Sequence, residues 1–166
     1  MHTQTSDCTA AIAGFASGDP AQFRPLPSKC TLAEVSATLK SLETETRGVL
    51  GEGDNTMQLR WFASAAVPQI LVWIDSAGHV VRLDADMPPS GSVAGYIKAL
   101  GQPEQRLDYK WRSSTLANGE LVWLSQGVST VGAPNGNGLI RAGVFVPANL
   151  ADYRARLRFI DDNVED

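Results

Sequence analysis

A tryptophan-bearing strand pattern that occurs twice constrains this 166-residue chain more than any other feature. The first copy contains residues 59–61 and 71–74, and the second contains residues 109–111 and 121–124. In each copy the second tryptophan follows the first by 12 positions, and these two pairs include all four tryptophans of the chain. Alternation of apolar and polar residues is typical of β-strands. The repetition therefore predicts one strand-pair unit that is used twice.

Helical patterns stand between the runs of strands. Residues 8–17 form a short helix by the spacing of their apolar side chains, and residues 31–42 begin with a Thr-x-x-Glu capping box. A third apolar stripe covers residues 93–100 and is followed by Gly101, a residue that commonly ends helices. An asparagine can cap a last helix over residues 149–160. The polar, glycine-rich residues between the second helix and the first strand are predicted to form a loop.

The order of these elements predicts the fold class. Helices that alternate with runs of hairpin-linked strands indicate an α+β fold, with helices packed on a mainly antiparallel, curved sheet. The length fits a single domain over residues 1–166. Within that domain we expect two tandem helix–strand repeats over residues 31–87 and 91–146, followed by the C-terminal helix over residues 149–160.

Composition and motifs exclude several classes of function. A net charge of −4 argues against non-specific nucleic-acid binding, which depends on clustered Lys and Arg. No apolar run approaches the roughly 20 residues of a transmembrane helix. The chain contains no G-x-S-x-G, S-x-x-K, H-E-x-x-H or C-x-x-C motif. We therefore predict no catalytic residue, no metal site and no cofactor.

The remaining titratable residues have ordinary interpretations. His79 is expected to begin a strand, and Asp84 and Asp86 are expected to be solvated turn charges, since proline follows where a calcium loop needs Asn or Gly. An acid–base pair stays open among three carboxylates whose separation in space the sequence does not fix: Glu104, Asp108 and Glu120.

The two cysteines bear on the cellular compartment. A bridge between Cys8 and Cys30 would close a loop of about 22 residues and stabilise the fold by roughly 3 kcal/mol. The alternative is two buried thiols in a reducing compartment. The first seven residues lack the apolar segment of a signal peptide, so the chain is either cytosolic or has lost such a peptide. With the bridge we expect a periplasmic or secreted protein, and with free cysteines a cytoplasmic one.

Each tryptophan can be a core residue or part of a recognition surface. Trp73 and Trp123 lie in continuously apolar stretches, so Trp61 and Trp111 are the better candidates for exposure. The candidate partner-binding residues are these two tryptophans, the cations beside them and two asparagines of the glycine-rich 132–138 loop: Trp61, Trp111, Arg60, Lys110, Arg112, Asn135 and Asn137.

The doubled helix-then-strands pattern resembles the β-lactamase-inhibitor-protein-like fold, which small outer-membrane assembly lipoproteins share. The resemblance rests on the capped helix 31–42 leading to the first tryptophan pair. It also rests on the helix 93–100 with its Leu-Gly-x-Pro ending, which leads to the second pair. It covers about residues 31–131. The resemblance implies a non-enzymatic domain that binds protein with a curved sheet.

Two hypotheses follow for the function. The first is a non-catalytic protein-binding domain, such as an inhibitor, a toxin-immunity protein or an envelope accessory protein, that occludes a surface of its partner. The acidic net charge would favour a basic partner. The second is a small-molecule-binding domain or an unrecognised enzyme with a pocket between sheet and helices. Neither hypothesis fixes the oligomeric state.

Overall fold

The structure is a computed structural model that describes residues 7–42, 48–50, 57–85, 93–107, 120–132 and 139–147. Several sequence predictions fall on other residues and lie outside the described ones. These are the C-terminal helix over residues 149–160, Asp86, Asp108 and five of the candidate binding residues: Lys110, Trp111, Arg112, Asn135 and Asn137.

Three α-helices are described, at Asp7–Ala16 (α1), Leu32–Thr38 (α2) and Val93–Leu100 (α3). The predicted capping box of α2 is present, since Thr31 Oγ1 accepts from the backbone N–H of Glu34 and the Glu34 carboxylate accepts from the Thr31 backbone. Gly101 follows α3 with a φ of +86°, the left-handed conformation that glycine adopts without strain.

Ten strands form one antiparallel sheet, and the central ones agree with the predicted strand runs. Their bounds are β1 Cys30–Thr31, β2 Lys40–Ser41, β3 Gly48–Leu50, β4 Met57–Ala63, β5 Ile70–Ile74, β6 His79–Ala85, β7 Gln105–Leu107, β8 Glu120–Trp123, β9 Val128–Gly132 and β10 Leu139–Phe145.

The sheet consists of two meanders that meet in its middle. The strand order is β2-β4-β5-β6-β10-β9-β8-β7, so β4–β6 of the first half join β7–β10 of the second half through the β6–β10 pair. The short strands β1 and β3 pair with β6 and β4, respectively. The sheet is not closed into a barrel. The predicted α+β class is confirmed, whereas the division into two sequence repeats stays a prediction.

The two faces of the sheet follow from the pairing register, because residues opposite each other on paired strands share a face. One face, here called the inner face, carries the main apolar core together with α1, α2 and the segment around Phe23. Its largest fully buried side chains include Phe62, Ile70, Leu83 and Trp123. None of the described residues on the opposite face, here called the outer face, belongs to that core cluster.

Ring contacts connect the N-terminal helix to α3 across the inner core. Phe23 lies 5.3 Å from the Phe15 ring and 5.7 Å from the Tyr96 ring, measured between centroids. Burial, together with the nearby Asp19 carboxylate, raises the pKa of Tyr96. These contacts make the N-terminal residues an integral part of the domain.

The predicted Cys8–Cys30 disulfide is present in the structure. The two Cα atoms are 5.6 Å apart, and the cysteines are separated by 22 positions in sequence. Cys8 lies in the first turn of α1, and Cys30 pairs with Val80 at the start of β6. The bridge therefore ties α1 to the sheet.

Two predicted segments differ from the structure. The helix expected over residues 31–42 ends at Thr38, because Leu39 has extended backbone angles and β2 then pairs with β4. The loop expected after this helix contains β3, which pairs with residues 57–59 of β4. Both differences arise because the backbone N–H and C=O groups at the edge of β4 need hydrogen-bond partners. The short strands β2 and β3 supply these partners, although neither has a periodic sequence pattern of its own.

Candidate functional site

The outer face of the sheet brings together the side chains of greatest functional interest. Strand pairing places its residues in two cross-strand rows. One row contains Trp61, Leu71, Asp84, Gly143, Ser129 and Val122, and the next contains Leu59, Trp73, Arg82 and Phe145.

Three apolar residues at the β4–β5 side of this face are partly exposed. Trp61 is paired with Leu71, and Leu59 is one row further along the same strand, paired with Trp73. Leu59, Trp61 and Leu71 all have intermediate exposure, whereas Trp73 is only 6% exposed. We call Leu59, Trp61 and Leu71 the Trp61 patch.

A buried polar cluster borders the patch. The indole N–H of Trp73 donates to Asp84 Oδ2 over 2.9 Å, and Arg82 Nε donates to the same oxygen over 2.8 Å. The Arg82 and Asp84 side chains are 12% and 9% exposed. This is the only ion pair seen between described residues. We call Trp73, Arg82, Asp84 and Ser129 the Arg82 cluster.

Arg82 also reaches across a whole strand. Its Nη2 donates to Ser129 Oγ over 2.6 Å, although Arg82 is on β6, Ser129 is on β9, and β10 lies between them. The guanidinium carbon is 5.5 Å from the centroid of the Phe145 ring on β10, a cation–π distance. Arg82 therefore fixes the strands of the two meanders relative to each other.

Gly143 makes this bridge possible. It is the β10 residue paired with both Asp84 and Ser129, so it lies directly beneath the bridging side chains. A Cβ at this position would overlap Asp84 Oδ1 and approach Arg82 Nη2 to 2.9 Å. Glycine is needed here for close approach and not for an unusual backbone angle.

Gly143→Ala is expected to lower the free energy of unfolding by about 2 kcal/mol, because the added methyl group overpacks the site between β6 and β9. Denaturant titration of the purified variant measures this loss. In an Asp84→Ala background the same substitution should cost less, since one of the overlapping groups is gone. Equal costs in both backgrounds would contradict the assigned packing.

The structure corrects the interpretation of Asp84. The sequence predicts a solvated turn charge, but Asp84 is 6% exposed near the end of β6 and accepts two hydrogen bonds. The reason is that β6 continues to Ala85, so Asp84 pairs with Leu71 and Gly143. Its two hydrogen-bond partners are Trp73, which is 11 positions away in sequence, and Arg82, which is on the same strand and the same face.

The paired tryptophans do not occupy equivalent places in the sheet. Trp73 is on the outer face, whereas Trp123 is fully buried in the inner core and donates from Nε1 to the carbonyl of Gly101 over 2.9 Å. Gln126 donates to the Leu100 carbonyl next to it. Trp123 and Gln126 thus satisfy carbonyls at the C-terminus of α3.

The other sequence candidates are dispersed. Arg60 lies on the inner-face side of β4, so it does not share a face with Trp61. His79 is the first residue of β6, as predicted, and is half-buried. Glu104 is exposed, and hydrogen bonds from the side chain and backbone of Ser125 lower the pKa of Glu104. The structure does not bring these residues together.

The described residues contain no candidate ion site and no candidate membrane span. Within the ranges that the structure describes, no three His, Cys, Asp or Glu side chains are grouped so that they could hold a metal ion. No described helix is long and apolar enough to cross a membrane.

Sequence reasoning missed the Arg82 cluster. Two features of the sequence are consistent with the cluster. Arg82 and Asp84 are two positions apart in a strand, so they share a face. In addition, a glycine at position 143 interrupts an apolar strand. Comparison with known proteins adds no assignment, since no family model, curated protein or solved structure matches the chain.

Proposed function

We propose that the chain is a non-catalytic protein-binding domain that occludes a surface of its partner with the Trp61 patch. An inhibitor, a toxin-immunity protein and an envelope accessory protein are the classes that act in this way. The observation that carries the proposal is the partial exposure of Trp61 between Leu59 and Leu71 on one sheet face. Tryptophan is among the residues most enriched in interface hot spots.

The surroundings of the patch support a rigid binding surface. Trp73 is paired with Leu59 and Arg82, and the Arg82 cluster fixes its indole by a hydrogen bond to Asp84. Residues that are already held in place lose little conformational entropy on binding. The patch therefore has the preorganised support that favours affinity.

The pairing of β4 with β2 and β3 indicates how a partner would contact the Trp61 patch. Along β4, residues 62–63 pair with β2, residues 57–59 pair with β3, and the Trp61 carbonyl accepts from the Leu42 N–H over 3.1 Å. These pairings occupy the backbone groups of β4 beside the patch, so a partner cannot add a strand directly to β4. A partner would therefore contact the side chains of the outer face.

We also propose that the protein functions in an oxidising compartment. A disulfide between two buried cysteines is compatible with an oxidising environment, which suits a periplasmic or secreted protein. Inhibitors and envelope accessory proteins act in such environments.

Trp61→Ala is expected to weaken binding of the partner by about 30-fold, the loss of roughly 2 kcal/mol that defines a hot spot. The measurement is affinity capture from the cells of origin with quantitative mass spectrometry, on wild type and variant side by side. Leu32→Ala is the matched control, because it shortens a partly buried apolar side chain on the helix side. At least one protein should be captured by wild type and by Leu32→Ala, yet lost with Trp61→Ala.

The stability of both variants must be checked by denaturant titration, so that loss of capture is not loss of fold. Equal capture of every protein by folded Trp61→Ala and by wild type would overturn the proposed function.

A further inference from the structure

We infer that the partner segment that covers the Trp61 patch is acidic, with carboxylates beside an aromatic or aliphatic anchor. This inference rests on the proposed function and adds the chemistry of the partner. It comes from the charges that the fold places around the patch, which differ from those of the whole chain. The net charge of −4 alone would favour a basic partner.

The first cation beside the patch is Lys40. It is exposed, and β2 pairs it with Ala63, two residues along β4 from Trp61. Residues at positions i and i+2 of a strand share a face, so Lys40 and Trp61 lie on the outer face as diagonal neighbours, with Cα atoms roughly 7–8 Å apart. A carboxylate next to an anchor packed on Trp61 would be within reach of the lysine.

The second cation is Arg141, which is also exposed. Arg141 is two residues from Gly143 on β10. Gly143 pairs with Asp84 on β6, and Asp84 pairs on its other side with Leu71 on β5. Strand spacing then places Arg141 about 12 Å from Leu71, on the side of the patch away from Lys40. The patch is therefore flanked by a cation on each side.

Among the residues that the structure describes, the acidic ones of this face do not cancel these charges. Asp84 is buried and neutralised by Arg82 within the Arg82 cluster. Glu120 lies on β8, five strands from β4, which corresponds to about 24 Å. Electrostatic complementarity at an interface mainly sets specificity and association rate, so these cations select an acidic partner segment.

The test is a selection from a displayed library of random 12-residue peptides against the immobilised full chain, with counter-selection against Trp61→Ala. Peptides that depend on Trp61 should contain an aromatic or aliphatic residue and at least twice the Asp and Glu content of the unselected library. Lys40→Glu should weaken the tightest such peptide about 10-fold, and high salt should reduce this difference.

Lys98→Glu is the control with the same charge change, because Lys98 is exposed on α3 at the helix side of the sheet. It should alter the affinity less than two-fold. Trp61-dependent peptides without acidic enrichment, or equal effects of the two charge reversals, would overturn the inference and leave the proposed function standing. If no peptide distinguishes the wild type from Trp61→Ala, the inference fails, and the capture experiment on Trp61→Ala decides the proposed function separately.

Discussion

Arg82→Met is expected to lower the free energy of unfolding by about 3–5 kcal/mol. The substitution keeps most of the side-chain length but leaves the Asp84 carboxylate, 9% exposed, without its countercharge. It also removes the hydrogen bond to Ser129 that reaches across β10. Urea denaturation monitored by tryptophan fluorescence measures the loss, and Trp73 next to Asp84 provides a local probe.

The double variant Arg82→Met, Asp84→Leu separates two effects: the loss of the ion pair, and the cost of leaving a buried carboxylate without its countercharge. Replacing both partners by apolar side chains removes the uncompensated carboxylate, so at least about 2 kcal/mol should be recovered relative to Arg82→Met alone. A double variant as unstable as the single one would show that the carboxylate is not what destabilises Arg82→Met.

Removal of the Cys8–Cys30 bridge is the second large effect. Cys8→Ala combined with Cys30→Ala should lower the free energy of unfolding by about 3 kcal/mol, because a bridge of 22-residue separation restricts the unfolded chain. The bridge also joins α1 to the strand that leads into the Arg82 cluster. Chemical denaturation of the variant against oxidised wild type measures the difference.

Reduced wild-type protein is the control, since it keeps both sulfur atoms in the core and lacks only the covalent bond. It should lose most of the same free energy. A thiol titration of the unfolded, unreduced protein should find no free thiol. Two free thiols would contradict the bridge and, with it, the argument for an oxidising compartment.

The sequence predicted most elements of regular structure within the described ranges. Strands β4 and β5 extend no more than two residues beyond the tryptophan-bearing segments 59–61 and 71–74, because each has a strong period-2 pattern or a continuous apolar run. Helix α3 also has its predicted bounds, fixed by its apolar stripe and by Gly101. Local physical signals are sufficient where they are this strong.

The predictions were less complete for the site. Trp61 was correctly favoured over Trp73 and Trp123 for exposure, since those two are buried. Alternation along β4 did not reveal that Phe62 would face the core while Trp61 and Leu59 face outward. Phe62 shares its face with the polar Gln58 and Arg60, so the choice of face depends on where the helices pack and not on the alternation along β4.

The sequence by itself determined most of the described strands and helices and the α+β class. These properties depend mainly on residues that are neighbours in the chain. Only the tertiary structure decided that Arg82 bridges β6 and β9 over Gly143, and that Lys40 and Arg141 flank the Trp61 patch in an acidic protein. Strand order and register bring these residues together, and both are set by long-range pairing that no local pattern records.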